Sequence, residues 1–401
     1  MRSFSIRSRL GFSSLVGAVA ALSVASTTAA ELVPARTADA RLDAALRELV
    51  EMDFGPVGAI SIIQRDGRWS VHRAGAKDLD TGRPIGWRDH MRLASVAKAY
   101  SGAVALSLVD RGLLSLDDTI GERLPELPDD WSAVTLRELL AHTSGLPDYT
   151  QDDEFQEEFT ADPLRYFAPD ELLPFVYDED LEFTPGEFYQ YSNSDNVAVA
   201  LMAEAATGAS YDELLQRYVY DRIRVRETSL PITAELPFPF LHGYFYEDTG
   251  PLDVSELVNP SGAWASGAIV STPSDVNKFI RGLLGRRFFG RKTQEAQFDF
   301  FPGGESDPPG PGENSAGLGL FRYETECGVV YGHTGNFPGY TQFVAASRDG
   351  TRSATVSVNL QISPALDPIV FEQLRHTFEL ATCAALAPVR TIVRGTRASA
   401  P

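Results

Sequence analysis

Two groups of strand-forming segments, far apart in the sequence, constrain the fold of this chain more than any other feature. Residues 57–63 and 69–73 have the pattern of two strands joined by an Asp66-Gly67 turn, which predicts an antiparallel hairpin. After a long helical region, four further strands are predicted at residues 317–323, 328–332, 340–347 and 353–360. Because the two groups must pair to bury their apolar faces, distant segments have to build one antiparallel sheet.

Helical patterns fill most of the remaining sequence. Residues 38–52 and 367–387 have apolar side chains at helical spacing, and capping boxes at Thr135 and Ser210 open two helices in the middle of the chain. The Pro/Gly-rich stretch 301–312 is predicted to be an irregular surface loop. This order of elements predicts an α+β fold, an α/β sandwich whose antiparallel sheet is flanked by helices, with an inserted all-helical subdomain at about residues 90–260.

The N-terminus predicts an exported protein. Arg2, Arg7 and Arg9 precede an apolar run from Leu10 to Val24, and small residues follow up to Ala30. This pattern indicates that residues 1–30 are a secretory signal peptide cleaved near Ala30. No later segment is long and apolar enough to span a membrane, so we expect a soluble, secreted, extracellular protein.

Length and composition predict a large folded core. The chain has 401 residues, of which 43% are hydrophobic. That is enough for one large domain or two closely packed halves. We assign residues 31–387 to this domain and residues 388–401 to a flexible tail, and we expect a monomer.

Charge and residue patterns exclude several kinds of partner and cofactor. The chain has 35 Lys and Arg against 55 Asp and Glu, a formal net charge of -20, so nucleic acid and anionic membranes are not expected partners. The densest acidic stretch, residues 152–187, is interpreted as a solvated face rather than a patch that steers substrates. No Cys/His cluster has the spacing of zinc ligands and no Gly-rich phosphate loop follows a strand, so we expect neither a metal nor a cofactor.

The chemistry is predicted to centre on Ser95 and Lys98. These residues are one helical turn apart and therefore share a helix face. Ser95 is placed at the start of an apolar helix that ends near Gly112, where backbone N–H groups can stabilise a developing negative charge. No other lysine of the chain follows a serine at this spacing, although a motif this short has a high false-positive risk on its own.

Two later motifs strengthen this hypothesis. Tyr191–Asn193 lies in a predicted loop just before a helix expected at Val197–Ala206, and His333–Gly335 lies on a late strand. A third candidate, His142, closes a short helix, and a histidine there is interpreted as a structural hydrogen-bonding residue rather than a catalyst.

In their order and spacing, these motifs resemble those of the serine β-lactamase and penicillin-binding enzymes, over nearly the whole mature chain. Within that superfamily the chain looks most like secreted D-alanyl-D-alanine carboxypeptidases, D-aminopeptidases and class C-like esterases. Residues 142–146 and 317–320 also resemble segments of these enzymes. The resemblance implies a β-lactamase/transpeptidase-like fold. Ser194-Asp195-Asn196 spells the S-D-N motif of class A enzymes, but we reject that reading because Ser194 is interpreted as a helix N-cap.

The resemblance implies a role for each motif residue. Ser95 is the nucleophile, and either Lys98 or Tyr191 is the base that accepts its proton, the two alternatives remaining open. The backbone N–H groups of Ser95 and Asn336 form the oxyanion hole. The remaining residues implied to orient the site or to contact the substrate are Asn193, His333, Thr334 and Gly335.

Two further features follow from the same comparison. The resemblance implies a disulfide between Cys327 and Cys383, the two cysteines of the chain. Phe321 stands where the carboxypeptidases tend to have a basic residue for the substrate carboxylate, and the neighbouring Arg322 is predicted to point to the opposite strand face. Recognition of a terminal carboxylate is therefore expected to depend less on charge in this chain.

These features predict a serine hydrolase that forms an acyl-enzyme with D-Ala-D-Ala peptides derived from peptidoglycan and is covalently acylated by β-lactams. One alternative is a class C-like esterase or D-aminopeptidase on the same scaffold. Another is a non-catalytic protein that binds β-lactams or muropeptides, which the joint presence of Ser95, Lys98, Tyr191 and Asn193 argues against. A true β-lactamase is disfavoured because that role usually goes with Lys-Thr-Gly where this chain has a triad starting at His333.

Overall fold

The computed structural model of the protein describes residues 34–388. Its main feature is an eight-stranded antiparallel sheet in which the first hairpin pairs with the last strand, for example Ala59 with Val358. In chain order the twelve strands of the described residues are β1 Gly58–Arg65, β2 Arg68–Gly75, β3 Met91–Arg92, β4 Tyr244–Glu247, β5 Gly250–Asp253, β6 Val270–Ser271, β7 Phe301–Pro302, β8 Glu313–Gly317, β9 Leu320–Thr325, β10 Gly328–Phe337, β11 Tyr340–Ala346 and β12 Ser353–Val358. The large sheet has the order β2-β1-β12-β11-β10-β9-β8-β7, which confirms that distant segments build one sheet.

Helices surround this sheet and fill the middle of the chain. The α-helices are α1 Ala35–Glu51, α2 Ala97–Asp110, α3 Ile120–Arg123, α4 Leu136–Ala141, α5 Asp153–Ala161, α6 Asn193–Thr207, α7 Tyr211–Leu215, α8 Asp221–Ile223, α9 Trp264–Gly267, α10 Pro273–Leu284, α11 Arg291–Gln297 and α12 Pro368–Leu386. A π-helical segment, Gln216–Tyr220, joins α7 to α8. Short 3-10 turns are found at Ala94–Val96, Asp129–Trp131, Tyr149–Gln151, Pro169–Glu171, Leu173–Val176 and Pro260–Ala263.

The two faces of the sheet are covered by different helices. Helices α1 and α12 pack on one face, where the apolar positions of α1, such as Leu42, Leu46 and Leu49, are fully buried. Helix α10 packs on the other face beside β11 and β12, and α2 packs against β9 and β10. The α+β sandwich predicted from the sequence is therefore confirmed.

The predicted strand 317–323 is confirmed from Leu320 onward, but a turn at residues 318–319 separates it from Gly317, which ends β8. Gly319 has φ +67°, a left-handed conformation that glycine adopts without a steric penalty. It also lies so close to α2 that a Cβ added there would be 2.9 Å from the Cα of Gly102. The chain must turn at Gly319 because α2 passes directly over it, a constraint that alternation of apolar residues does not encode.

Helix α6 begins earlier than predicted, at Asn193 instead of Val197. The N-cap position is occupied by Ser192, so our interpretation of Ser194 as the N-cap is wrong. Ser194 lies in the first turn, where its hydroxyl donates to the carbonyl of Pro147 at 2.6 Å. The Ser194 side chain is buried in this contact. The residue of this segment that accepts a hydrogen bond from Lys98 is Asn193.

The loop at residues 301–312 is less exposed than a surface loop, contrary to the prediction. The Thr334 hydroxyl donates a hydrogen bond to the carbonyl of Pro308, and Arg375 Nε of helix α12 donates to the carbonyl of Gly310 at 2.9 Å. Five of its residues are buried, namely Gly304, Ser306, Pro308, Gly310 and Pro311. Side chains from β10 and α12 thus hold this loop against the body of the protein.

The predicted disulfide is present. Cys327, between β9 and β10, and Cys383 of helix α12 are bonded, with their Cα atoms 5.1 Å apart. Two other predictions, the signal peptide at residues 1–30 and nearly all of the tail 388–401, lie outside the described residues. Within residues 34–388, no helix combines the length and the apolar character needed to cross a bilayer.

Replacing both cysteines, in the variant Cys327→Ser/Cys383→Ser, is expected to lower the free energy of unfolding. The bridge closes a loop with a sequence separation of 56 residues. Constraining the unfolded chain by such a loop contributes about 4 kcal/mol. Urea unfolding of the oxidised wild type and of the variant measures the difference, and equal midpoints and slopes would contradict the prediction.

Candidate active site

The turn at Ala94–Val96 exposes one side chain at the start of a buried helix. Ser95 is partly accessible, whereas every other residue from Met91 to Leu108 is buried. Ala94 has φ +50°, an unfavourable left-handed conformation for a residue with a Cβ. This conformation places Ser95 at the N-terminus of α2, where its side chain is partly accessible.

Lys98 lies one turn further along α2 and is completely buried. Its Nζ is 3.1 Å from the hydroxyl of Ser95, 2.7 Å from Oδ1 of Asn193 and 3.0 Å from the carbonyl of Ser266. The Asn193 amide is held in this orientation because its Nδ2 donates to Oδ2 of Asp148 at 2.9 Å. Four segments of the chain therefore fix the ammonium group next to the serine.

Burial lowers the pKa of Lys98 from 10.5 to about 7. The carboxylates of Asp148, Asp307 and Asp195 oppose this shift, since negative charge favours the protonated amine. A substantial fraction of Lys98 is therefore neutral near pH 7, and a neutral amine can accept a proton. This property makes Lys98 a chemically competent base at its distance from Ser95.

Tyr191 packs beside Lys98 but is not in a state to act as a phenolate. Lys98 Nζ is 4.8 Å from the centre of the Tyr191 ring. Burial raises the pKa of Tyr191 well above 10, and although the nearby Ser95 hydroxyl acts to lower it, burial is the larger effect. Tyr191 Oη forms no hydrogen bond of good geometry with a described residue. In this arrangement the phenol is neutral, and its proton is free to be donated to a reacting group.

A buried pair of side chains, His142 and Asp195, packs against the segment that contains Tyr191. His142 Nδ1 is 2.7 Å from Oδ2 of Asp195, and the His142 ring lies 4.6 Å from the Tyr191 ring. The carbonyl of His142 accepts a hydrogen bond from Gln190 N at 2.9 Å. Burial lowers the pKa of His142 to about 3, so its imidazole is neutral at pH 7, and burial raises the pKa of Asp195 above its usual range. His142 thus contacts Tyr191 and not Ser95.

Strand β10 closes the other side of the site. A Cβ added to Gly335 would lie 2.9 Å from the backbone N of Ser95 and 2.5 Å from the carbonyl of Leu93, so only glycine fits there. His333 is buried with its ring 6.5 Å from Tyr191. Burial and the nearby Lys98 hold the pKa of His333 well below 6.5, so the imidazole is neutral. Ser95 N–H and the end of β10 are therefore adjacent, as a two-donor oxyanion hole requires.

The other two predicted site residues of β10, Thr334 and Asn336, point to the strand face opposite His333. The Thr334 side chain is fully buried and engages the loop at residues 301–312 through Pro308. Asn336 is half-buried, and its Oδ1 accepts a hydrogen bond from the Thr341 hydroxyl at 2.9 Å. Six of the seven other predicted residues thus lie around Ser95, by direct contact or through one neighbour, while the Thr334 hydroxyl is occupied by Pro308.

The variant Gly335→Ala is expected to lower kcat/KM by about a hundredfold, because the added Cβ must displace the backbone of Ser95 or of β10, and small displacements of reacting groups are costly. Gly262→Ala is the matched control, since a Cβ there would make ordinary contacts at 3.4 Å with Phe167. Kinetics with an activated ester measure the effect. Equal rates in both variants would show that the Gly335–Ser95 approach is unimportant.

Sequence reasoning missed the acidic residues near Lys98. Asp148 comes shortly after residues 142–146, and its Oδ1 accepts a hydrogen bond from Thr150 N at 3.0 Å. An aspartate that forms such a turn can be recognised from the sequence, so Asp148 could have been predicted to lie at this loop. Asp307 lies in the loop at residues 301–312 and had no sequence signal. Although the Asp307 residue is exposed by area, its carboxylate is crowded enough that desolvation raises its pKa.

The position expected to bind a substrate carboxylate holds no cation among the described residues. Phe321 is buried, with its ring 5.0 Å from His333. Arg322 forms an ion pair with Glu324 at 2.7 Å, and its neighbours along β9 show that it points to the face opposite Phe321. The site therefore combines a nucleophile, a neutral amine, a phenol and backbone donors, without a charged carboxylate anchor.

Comparisons with known proteins agree with this chemistry. Penicillin-binding protein 4* of Bacillus subtilis strain 168 is 24% identical over 322 residues, which cover 76% of this chain and 68% of that protein. Esterase EstB of Burkholderia gladioli is 36% identical over 208 residues, 49% of this chain and 51% of its own length. The crystal structure of a D-stereospecific amidohydrolase from a Streptomyces species superposes with a TM-score of 0.74 at 26% identity, covering 84% of this chain and 98% of the other.

The model of the beta-lactamase family matches residues 42–377, which is most of the chain and includes every candidate residue of the site. Together with the fold and the placement of Ser95 beside Lys98, this match shows that the chain belongs to the beta-lactamase family, within the superfamily of serine hydrolases that also contains the penicillin-binding proteins.

Proposed function

We propose that this protein hydrolyses D-amino-acyl bonds through an acyl-enzyme on Ser95, with D-Ala-D-Ala peptides as substrates, and that β-lactams acylate the same serine. The observation that carries the proposal is the 3.1 Å contact between the Ser95 hydroxyl and a buried Lys98 whose pKa is lowered to about 7. A lysine in this state can take the serine proton as Oγ attacks the carbonyl. We also propose that the protein is exported from the cell.

Acylation follows from the positions of four groups. Ser95 Oγ attacks the carbonyl carbon and passes its proton to neutral Lys98 Nζ. The oxyanion is stabilised by the N–H groups of Ser95 and Asn336. Protonated Tyr191 donates to the leaving amine and recovers a proton from Lys98, so proton transfer passes from serine to leaving group without a net change in the enzyme. Water then attacks the ester of Ser95, with Lys98 again as the base.

A second candidate function is the hydrolysis of esters or of amides of D-amino acids, including the aminopeptidase reaction. The buried Phe321 at the expected carboxylate position favours it, since neither reaction needs a cation at the far end of the substrate. The similarity to an esterase and to a D-stereospecific amidohydrolase also supports it. A purely non-catalytic binding role is less well supported, because Ser95, Lys98, Tyr191 and Asn193 are all present and lie together. We propose that the protein is a monomer.

Amidating the C-terminal D-Ala of a D-Ala-D-Ala tripeptide is expected to lower kcat/KM by only about tenfold, a loss of roughly 1.4 kcal/mol. Phe321 supplies no charge, and the side chain of Arg322 is paired with Glu324. Neutral donors bind a carboxylate more weakly than a bidentate arginine does. Parallel kinetics with the acid, the amide and a small activated ester measure the preference and decide between the two candidate functions.

A loss of about a thousandfold on amidation would mean that a cation does reach the carboxylate. Arg322→Ala would then be the first variant to test, with Arg68→Ala on the exposed end of β2 as its control. Hydrolysis of the ester and the amide without detectable turnover of the tripeptide would leave the second candidate as the function.

A further inference from the structure

Two neighbouring cavities have a charge opposite to that of the whole chain. One, of about 580 Å³, lies between helices α10 and α11 and the turn that joins β11 to β12. The other, of about 640 Å³, lies between α8, α10 and the same turn. Because Gly285 and Asp349 line both, the two form one continuous depression, which we call the basic groove. Eight Lys and Arg side chains line it against two acidic ones, in a chain of formal net charge -20.

Most of these cations have no acidic partner among residues 34–388. Arg291 pairs with Glu295 at 2.7 Å and Lys278 pairs with Asp275 at 2.7 Å. The groove arginines that form no ion pair with a described residue are Arg222, Arg224, Arg281, Arg286, Arg287 and Arg348. Residues 276–294 supply five of the eight groove cations and contain no acidic residue.

The one carboxylate shared by both cavities is already occupied. Asp349 Oδ1 accepts hydrogen bonds from the Ser347 hydroxyl at 2.6 Å and from the Thr351 backbone N and hydroxyl at 3.0 and 2.8 Å. It therefore stabilises its own turn and does not pair with a groove arginine. Several like charges around one concave surface attract anions strongly and raise their local concentration.

We propose that the basic groove binds a linear polyanion without nucleobases, a chain with repeating phosphodiester or carboxylate groups. Guanidinium groups match phosphate and carboxylate oxygens with paired hydrogen bonds. The arginines are spread over two adjoining cavities, which suits a chain of spaced charges better than a single anion. The only aromatic lining residue, Phe298, has its face covered by Arg348 at 4.5 Å, so the groove lacks the stacking platform typical of sites for single-stranded nucleic acid.

The groove lies at the opposite end of the sheet from the active site. Gln342 of β11 pairs with Gly335, whereas Ala346, four residues further along, adjoins the turn that lines the groove. Four residues of a strand span about 14 Å, before the length of the turn is added. Polymer bound in the groove therefore leaves Ser95 accessible, and the proposal does not depend on which substrate the enzyme hydrolyses.

Fluorescence anisotropy with labelled poly(glycerol phosphate) and labelled polygalacturonate tests the proposal, at about 50 mM salt, where contacts with repeating charges are strong. The groove variant Arg222→Gln/Arg286→Gln/Arg287→Gln removes three exposed cations that form no ion pair with a described residue. The control Arg41→Gln/Arg47→Gln/Arg68→Gln removes the same charge from exposed positions on α1 and β2. Ester hydrolysis by each variant verifies that it is folded.

We expect the wild type to bind at least one of the two polymers, the groove variant to bind at least about tenfold more weakly, and the control to change less than about twofold. The preferred polymer identifies phosphodiester or carboxylate as the recognised group. Failure of the wild type to bind either polymer would overturn the proposal. Equal weakening in both triple variants would do so too, because only net charge would then matter, and so would equally tight binding of single-stranded DNA.

Discussion

Replacing Ser95 by alanine is expected to abolish covalent labelling by a fluorescent penicillin and to lower kcat/KM for every substrate by at least about 10⁴-fold. Ser95 is the only accessible residue between Met91 and Leu108, and its hydroxyl is 3.1 Å from Lys98 Nζ. No other hydroxyl among the described residues forms a hydrogen bond with Lys98 Nζ. Gel fluorescence of the labelled protein and steady-state kinetics measure the two effects.

The control for this variant is Ser107→Ala. Ser107 lies on the same helix, is fully buried and bonds the carbonyl of Phe288 at 3.4 Å, so its loss tests the helix without touching the site. We expect Ser107→Ala to be labelled like the wild type. Normal penicillin labelling of Ser95→Ala would falsify the assignment of the nucleophile, whereas a loss of labelling in both variants would point to a damaged helix.

The sequence was sufficient to predict which segments meet in the sheet. The apolar runs and the alternation in the hairpin around Asp66-Gly67 and in the late strands indicate buried strands, and the two groups can satisfy their backbone hydrogen bonds and bury these side chains by joining one sheet. The structure confirms this through the pairing of β1 with β12. The same reasoning misplaced the turn at Gly319, because that turn is set by the passage of α2 over the strand and not by any property of residues 317–323.

The chemistry of the site was predictable as a set of residue types but not as a set of protonation states. The motifs around Ser95, Tyr191 and His333 do come together. The choice between Lys98 and Tyr191 as the base depends on burial by four separate segments and on carboxylates such as Asp148, which no motif specifies. The geometry now favours Lys98, since the same burial that releases its proton holds the proton of Tyr191 in place.

The variant Lys98→Met is expected to lower kcat/KM by about 10³- to 10⁴-fold, because it removes the base of a catalytic unit. The wild-type rate should follow the same group. With the pKa of Lys98 lowered to about 7, kcat/KM should rise about tenfold per pH unit below pH 7 and level off above it. A pH profile that is flat between pH 5 and pH 7 would exclude Lys98 as the base.

Stability offers a test of the same pKa that does not depend on activity. The folded pKa of Lys98 is lowered below its unfolded value of about 10.4, so between pH 7 and pH 10 the unfolded chain binds more protons than the folded one. The free energy of unfolding contributed by this group therefore rises with pH in that window. Between pH 7 and pH 9 the wild type should gain about 2 kcal/mol relative to Lys98→Met, a difference in which other titrating groups cancel.

The comparison isolates the amine itself. Lys98→Met also leaves Asn193 Oδ1 and the carbonyl of Ser266 without their partner, but that cost is the same at every pH and drops out of the change. Lys292→Met is the control, because Lys292 is exposed on α11 and its ammonium stays in water in both states. Urea unfolding at pH 7, 8 and 9 measures all three proteins. A constant difference between wild type and Lys98→Met would show that Lys98 keeps its proton in the folded enzyme, and the base would then have to be Tyr191.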